Sequence, residues 1–158
     1  MNGHRYDFLE RRPANELDYF DRRSIDLDRE LTPIEVYEQI TRHPSRLVQG
    51  LFAARDILGY PLGIRPIKGF GTAQRQERDG IEYLDFFELI SCDQKSLKLV
   101  ASDHHLDVLI DIQTSTTDGR HTVSVVARVK CKNWVGRIYM IPVRPIHRLL
   151  VQSMLKKL

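Results

Sequence analysis

The chain has 158 residues, a length that fits one domain with a single core that is stable without disulfides or metals. Its 42% apolar and 28% charged residues exclude wholesale disorder. The 24 basic and 21 acidic side chains leave a formal charge of +3 and are interspersed along the sequence, which argues against a nucleic-acid partner.

Cysteine usage and the N-terminus predict a cytoplasmic protein. Cys92 and Cys131 form no CxxC pair and no metal spacing, so we interpret them as small hydrophobes in a reducing compartment. Residues 1–16 lack the apolar core of a signal peptide and are interpreted as a flexible polar tail before one domain over residues 17–158. No apolar run reaches the ~20 residues of a transmembrane segment.

The first half of the domain is predicted to hold a strand and two helices. Leu17–Leu27 favours a strand. The first helix begins with a capping box at Thr32–Glu35 and ends near Arg42, before His43-Pro44. Ser45 caps a second helix that ends at Gly59. The Gly63–Gly71 stretch follows as a crossing; its Gly69-Phe70-Gly71 lacks the rest of a dinucleotide fingerprint and is interpreted as a loop.

The middle of the chain predicts an antiparallel meander. Its strands are Ile81–Ser91, Leu97–Ser102, Leu106–Ile112 and Val123–Lys130. Their connections are short and polar, so neighbouring strands are expected to pair as hairpins. One face of this sheet is apolar throughout and requires a cover on that side.

The C-terminal stretch supplies that cover. Gly136–Leu158 has a polar stripe opposite an apolar one, which predicts an amphipathic helix. Pro142 and Pro145 each remove a backbone donor, so we expect a kink or a break there, with the best helix after Pro145.

This order of elements predicts an α+β helix-grip fold. A curved antiparallel sheet of about six strands holds a long C-terminal helix across its concave face, and two short helices close one end. Another α+β sandwich with the same element order is the alternative.

Two stretches resemble a known family. Asp103-His104-His105-Leu106-Asp107 resembles a D-x-H-L-D signature. Asn133-Trp134-Val135-Gly136-Arg137-Ile138-Tyr139, with Pro145-Ile146-His147-Arg148 and Met154-Leu155, resembles an N-x-x-G-R-x-Y … P-x-H-R … M-L tail. Together they are similar to the small bacterial family catalogued as domain of unknown function 2867, grouped with START-like and polyketide-cyclase-like helix-grip proteins. The resemblance covers roughly residues 18–158 and implies the fold but no established activity.

The resemblance also implies one candidate partner. Members of that family occur fused behind NAD(P)-binding oxidoreductase domains, whereas this chain has no GxGxxG motif. A separate oxidoreductase that acts with this chain is therefore an open hypothesis, and no cofactor is assigned to the chain itself.

Asp103, His104, His105 and Asp107 form the densest cluster of titratable groups. The cluster allows a general base or a metal site. Strand alternation from Leu106 onward instead directs His105 and Asp107 away from the concave face, and it leaves Asp103 in a turn, where it caps backbone donors. We therefore favour a structural role and predict no metal there.

The strand-to-helix junction has two interpretations. Arg137 is a candidate to bind an anion at the mouth of a cavity. Alternatively, Asn133 caps the helix, Gly136 permits close packing and Arg137 pairs with an acidic residue. His147 and Arg148 are interpreted as a surface pair rather than as a proton shuttle.

A helix laid over a curved sheet leaves internal space that side chains often fail to fill, and such apolar cavities are the usual small-molecule sites. The expected ligand-binding residues come from the second helix, the concave strands and the front of the last helix: Phe52, Val108, Ile110, Val125, Ala127, Arg137 and Tyr139. Glu88 is a further candidate if the strand register turns it inward.

The leading functional hypothesis is a module that binds an apolar or amphipathic small molecule under the C-terminal helix. The alternatives are a cyclase- or dehydratase-like enzyme and an accessory protein that docks to an NAD(P)-dependent oxidoreductase.

Overall fold

The structure is a computed structural model that describes residues 6–64, 66 and 71–158. Its helices are α1 (Asp7–Arg11), α2 (Pro33–Thr41), α3 (Arg46–Gly59) and α4 (Trp134–Leu155), with 3-10 turns at Ala14–Glu16 and Tyr60–Leu62. Its strands are β1 (Tyr19–Leu27), β2 (Arg75–Arg78), β3 (Ile81–Leu84), β4 (Phe87–Cys92), β5 (Ser96–Ser102), β6 (Leu106–Thr117) and β7 (Arg120–Cys131). Part of the Gly63–Gly71 crossing, including Gly69-Phe70, lies outside the described residues.

The strands form one antiparallel sheet in the order β1-β7-β6-β5-β4-β3-β2. Consecutive strands from β2 to β7 are neighbours, and β1 joins the edge beside β7 with Tyr19 opposite Val129. The described residues therefore contain seven strands, against about six expected. The architecture, a curved sheet with short helices and a long C-terminal helix packed on it, confirms the helix-grip prediction.

The sequence patterns predict five individual strands, and the structure adds two: β2 (Arg75–Arg78) was not predicted, and Ile81–Ser91 contains a turn that divides it. Asp85 adopts a positive φ of 56°, which divides the stretch into β3 and β4. Its carboxylate accepts hydrogen bonds from the amides of Gly71 and Gln74, both at 3.1 Å, and from the Thr72 hydroxyl. Asp tolerates this backbone region because its side chain bonds nearby donors, a local arrangement that the aromatic strand pattern concealed.

The helix starts follow their sequence signals. In α2, Thr32 and Glu35 form a capping box around Pro33. The Ser45 hydroxyl accepts the Val48 amide at the start of α3, and Asn133 Oδ1 accepts the Gly136 amide at the start of α4. Each side chain satisfies an amide that the first helical turn leaves without a partner.

Helix α4 crosses the concave face of the sheet. It continues from Trp134 to Leu155 without a break, although Pro142 and Pro145 lie inside it. Tyr139, Met140, Val151, Met154 and Leu155 are buried against the sheet and α2. This packing keeps the segment helical, although each proline removes one backbone hydrogen bond.

The convex face has a separate small cover. Residues 6–16, predicted from the sequence to belong to the tail, include α1, and Tyr6 and Leu9 pack on Val100 and Leu109 of the outer face. Leu9 is completely buried. The alternation of apolar and charged residues near the N-terminus therefore marks a short amphipathic segment over the sheet. No helix among the described residues is both long and apolar enough to cross a bilayer.

Candidate functional site

A cavity of about 190 Å³ lies between the concave sheet and the helices. Its floor is formed by β5, β6 and β7, and its walls by α2, α3 and α4. Ala127 lies opposite Ile110 in the strand register, and Ala101 opposite Val108. These short alanine side chains leave space beneath α4 that the larger neighbours do not fill.

Six of the seven sequence-derived ligand residues lie around this cavity: Phe52, Val108, Ile110, Val125, Ala127 and Tyr139. Arg137 does not. Its side chain is 70% exposed, and its Nε lies 3.6 Å from Asp18 Oδ1. The reason is helical geometry: two residues along an α-helix are separated by about 200° around its axis, so Arg137 and Tyr139 face opposite sides.

Tyr19 and His147 form a polar pair in the cavity wall. The Tyr19 hydroxyl lies 3.4 Å from His147 Nδ1, and the two rings meet edge to face with centroids 5.5 Å apart. Burial lowers the pKa of His147, although nearby Asp21 partly opposes the shift. Burial, supported by Asp21, raises the pKa of Tyr19. At neutral pH this wall therefore presents a neutral imidazole and a protonated phenol.

A second polar group lies where α2 meets the cavity. The Tyr37 hydroxyl donates to Asp85 Oδ2 at 2.8 Å, and Thr41 Oγ1 donates to the Tyr37 carbonyl at 2.7 Å. Burial and the bond to Asp85 raise the pKa of Tyr37, so its hydroxyl stays protonated. These contacts connect the cavity wall to the β3–β4 turn.

Arg55 of α3 supplies a cationic group. Its guanidinium carbon lies 5.9 Å from the centroid of the Tyr139 ring, and its Nη1 lies 2.6 Å from Asp56 Oδ1. Burial raises the pKa of Tyr139, and Arg55 opposes the rise. The rest of the wall is mainly apolar, so an occupant would meet hydrophobic surface with a few polar contacts.

The two stretches that carry the family resemblance meet outside this cavity at residues 103–105 and 133–136, whereas Tyr139 and His147 of the second stretch line it. Asp103 Oδ1 accepts the amides of His105 and Leu106 at 2.7 and 2.9 Å, which closes the β5–β6 turn. Asn133 Nδ2 donates to the His104 carbonyl at 3.1 Å, and its side chain lies within hydrogen-bond distance of His105 Nδ1. We call this contact between the turn and the start of α4 the turn–helix junction.

Gly136 allows the junction to close. A Cβ atom at this position would lie less than 3.0 Å from the His105 carbonyl oxygen, closer than real contacts come. That oxygen accepts the Lys132 amide at 2.7 Å, which fixes its position beside Gly136. The glycine of the N-x-x-G-R stretch is therefore required for close packing.

Asp107 and Glu88 face the convex side of the sheet. Asp107 accepts from Ser102 Oγ and lies 2.8 Å from Lys132 Nζ. Glu88 Oε2 accepts the Tyr6 hydroxyl at 3.2 Å, beneath the N-terminal cover. Neither carboxylate lines the cavity.

Across the described ranges, no three His, Cys, Asp or Glu side chains are arranged to hold a metal ion.

Tyr139 was predicted from the sequence, but the other polar residues of the cavity were not, and the interpretation of His147 as a surface residue was wrong because its ring lies in the cavity wall. Spacing contained a signal for two of the missed residues. His147 follows Val143 by four positions and therefore shares the face of Tyr139 and Val143. Arg55 follows Phe52 by three positions on α3. The Tyr37–Asp85 bond joins residues 48 positions apart, and no sequence pattern indicates it.

Comparison with known proteins identifies the family. Curated proteins give no match. Among solved structures, the crystal structure of Ara h 8.0201 aligns with 87% of this chain and 98% of its own, at 10% sequence identity and a TM-score of 0.34. The family model described as "Protein of unknown function (DUF2867)" matches residues 13–154. That match spans most of the chain, which therefore belongs to this family.

Proposed function

We propose that the protein binds a small apolar or amphipathic molecule in the cavity beneath α4. The cavity itself, about 190 Å³ with mainly apolar walls, is the observation that carries the proposal. Protein interiors are close-packed, so side chains that line an unfilled apolar pocket lack packing partners on that side. An occupant recovers the lost contacts and adds the free energy of burying its own apolar surface, roughly 25 cal/mol per Å².

The volume and polar groups restrict the class of ligand. Apolar cavities of about 150 Å³ accept molecules the size of benzene, so a one-ring compound or a short chain of similar volume fits without side-chain movement. Tyr139 and the Tyr19–His147 pair offer hydrogen bonds to one polar substituent. Arg55, near Tyr139, favours a ligand whose polar end is neutral or anionic. Micromolar affinity is reachable if ordering costs are modest.

Filling the cavity tests the proposal. Ala127 is 2% exposed and forms part of the floor, so Ala127→Phe places a ring where the ligand would lie. We expect the wild type to take up a hydrophobic fluorescent probe and the variant to lose this uptake while its circular dichroism is retained. Ala14→Phe, at an exposed position outside the cavity, is the matched control. A wild type that binds no apolar probe, or equal uptake by Ala127→Phe, refutes the proposal.

The Tyr19–His147 pair favours a second candidate, an enzyme of the cyclase or dehydratase kind. A neutral imidazole that faces a bound substrate can accept a proton, and a protonated phenol can donate one. Mass spectrometry of molecules retained by the natively purified protein separates the two candidates. A carrier retains the same molecules in the wild type and His147→Gln, whereas an enzyme accumulates a different, unreacted molecule in the variant. An accessory role beside an NAD(P)-dependent oxidoreductase stays a prediction from the family resemblance.

A further inference from the structure

Exposed apolar side chains are concentrated on the outward side of α3 and α4. In the described part of the chain ten large apolar side chains are exposed, and eight of them come from α3, the turn after it, or α4: Leu47, Ile57, Leu58, Tyr60, Trp134, Ile138, Ile141 and Leu149. The other two are Phe8 and Phe20. We call the group of eight the α3–α4 surface.

Four side chains of the α3–α4 surface are exposed over at least 67% of their area. Tyr60 is 82% exposed, Ile57 72%, Trp134 69% and Ile141 67%. Single exposed apolar residues are normal on a protein surface, but here eight of them belong to two helices that pack on each other and to the turn between α3 and the sheet. Trp134, Ile138 and Ile141 are spaced by four and three positions and therefore share one side of α4.

The same helices carry the net positive charge of the protein. Residues 46–62 and 134–157 contain seven Lys and Arg but one acidic residue, Asp56, for a net charge of +6. The whole chain has +3, so the remainder has −3. Arg148 on α4 and Lys156 at its end are exposed, and Arg137 is exposed although Asp18 lies close to it. The apolar side chains are thus accompanied by cationic ones.

This combination fits an anionic lipid bilayer. Helices that lie in a membrane interface insert Trp, Ile and Leu side chains and place Lys and Arg near the head groups. Each cationic side chain gains further attraction from an anionic leaflet. A second copy of the chain is disfavoured, because a symmetric contact would bring together two pairs of helical segments, 46–62 and 134–157, and each pair carries a net charge of +6.

We propose that the α3–α4 surface docks the protein on anionic membranes, with α4 lying along the interface. The proposal does not depend on whether the cavity binds a ligand. It does connect with the cavity physically, because α3 and α4 also form two of the cavity walls. A molecule that leaves the bilayer would meet the helices that enclose the proposed binding space.

The position of the single tryptophan makes docking directly measurable. Trp134 is the one Trp in the sequence and belongs to the α3–α4 surface. Vesicles of phosphatidylcholine and phosphatidylglycerol should shift its fluorescence to the blue and carry the protein upward in a flotation gradient. Vesicles of phosphatidylcholine alone should do neither, and high salt should weaken binding because it screens the charge.

Paired variants assign the effect to this surface. Ile57→Gln with Ile141→Gln removes two of its most exposed apolar side chains and should weaken vesicle binding about tenfold or more. Phe8→Gln with Phe20→Gln makes the same kind of change elsewhere and should leave binding within about twofold. Circular dichroism verifies that both proteins are folded.

Three outcomes overturn the proposal. The first is no binding to anionic vesicles. The second is binding that is equal for neutral vesicles or unchanged in the Ile57/Ile141 variant. The third is a dimer in sedimentation that the same variant dissociates, which would assign the surface to a second copy. A folded protein that floats with anionic vesicles alone, and loses this with the Ile57/Ile141 variant, supports it.

Discussion

The turn–helix junction and the cavity differ in how completely their groups are satisfied. At the junction, the Asp103 carboxylate and the Asn133 amide each have two or more hydrogen bonds, the His105 carbonyl accepts the Lys132 amide, and no space is left for a Cβ atom at Gly136. The cavity retains about 190 Å³ of unfilled space within a mainly apolar wall. The junction therefore fixes the start of α4, whereas the cavity leaves space that another molecule could fill.

The sequence motifs are divided between the two regions. The D-x-H-L-D stretch and the start of the N-x-x-G-R stretch lie at the junction, where they hold the start of α4 against the β5–β6 turn. The rest of the family pattern contributes to the cavity wall through Tyr139, Ile146, His147, Met154 and Leu155. The floor of the cavity consists mainly of valine, isoleucine and alanine side chains that belong to no motif. The motif at the junction therefore reports how the fold is held together, and it does not by itself locate the site.

Gly136→Ala is the strongest test of this contrast. The added Cβ meets the His105 carbonyl oxygen at less than 3.0 Å, so the start of α4 must move. We expect a loss of about 2 kcal/mol or more in the free energy of unfolding, despite the ~1 kcal/mol that alanine gains in helix propensity. Gly50→Ala is the matched control, because nothing lies within 4 Å of the position that its Cβ would take, and it should stabilise the protein by about 0.5–1 kcal/mol. Urea unfolding measures both, and equal effects would contradict the packing role.

Asp18→Asn tests how much the negative charge of Asp18, which lies close to Arg137 of α4, stabilises the protein. Asp18 Oδ2 accepts the Cys131 amide at 2.8 Å and lies 3.3 Å from Lys130 Nζ. Burial alone raises the pKa of Asp18, but these hydrogen bonds and the nearby cations outweigh it and lower the pKa below 3.8. We expect Asp18→Asn to cost about 1–3 kcal/mol at neutral pH.

The pH dependence of that loss has a defined sign. A carboxyl whose pKa is lowered by folding stabilises the protein above its unfolded pKa, and the stabilisation is lost as the pH falls through the folded value. The difference between wild type and Asp18→Asn should therefore be full at pH 7 and shrink below about pH 4. Asp28→Asn, at an exposed position, should stay within about 0.5 kcal/mol of the wild type. A pH-independent difference would exclude the charge as the cause.

His147→Gln gives the smallest effect and probes the cavity. Burial lowers the pKa of His147, so the unfolded chain binds this proton more readily, and stability should fall as the pH drops below about 6.5. In His147→Gln, the free energy of unfolding should no longer show this decrease between roughly pH 7 and pH 5. His104→Gln, at an exposed position outside the cavity, should retain it. An unchanged slope in His147→Gln would mean that the imidazole is hydrated rather than enclosed.

Local patterns predicted much of the fold. The caps at Thr32, Ser45 and Asn133 are decided by residues within three positions of one another, so the sequence contains all of the required information. Period-two alternation likewise predicts β5, β6 and β7 and the direction of Val108 and Ile110. The same rules placed six cavity residues on the correct sides of their elements.

What the sequence alone determined was therefore the helix-grip order, the caps and the apolar lining. Tertiary structure decided the rest, because the relevant partners are distant in the chain. Asp85 interrupts a strand-like stretch since it binds Tyr37 and the 71–74 segment. Tyr6 and Leu9 pack on the sheet because its convex face offers Val100 and Leu109 to them. Arg137 and His147 differ from these cases, because helical spacing already places Arg137 about 200° from Tyr139 and His147 four positions after Val143, so both placements were available from the sequence once Tyr139 was known to face inward.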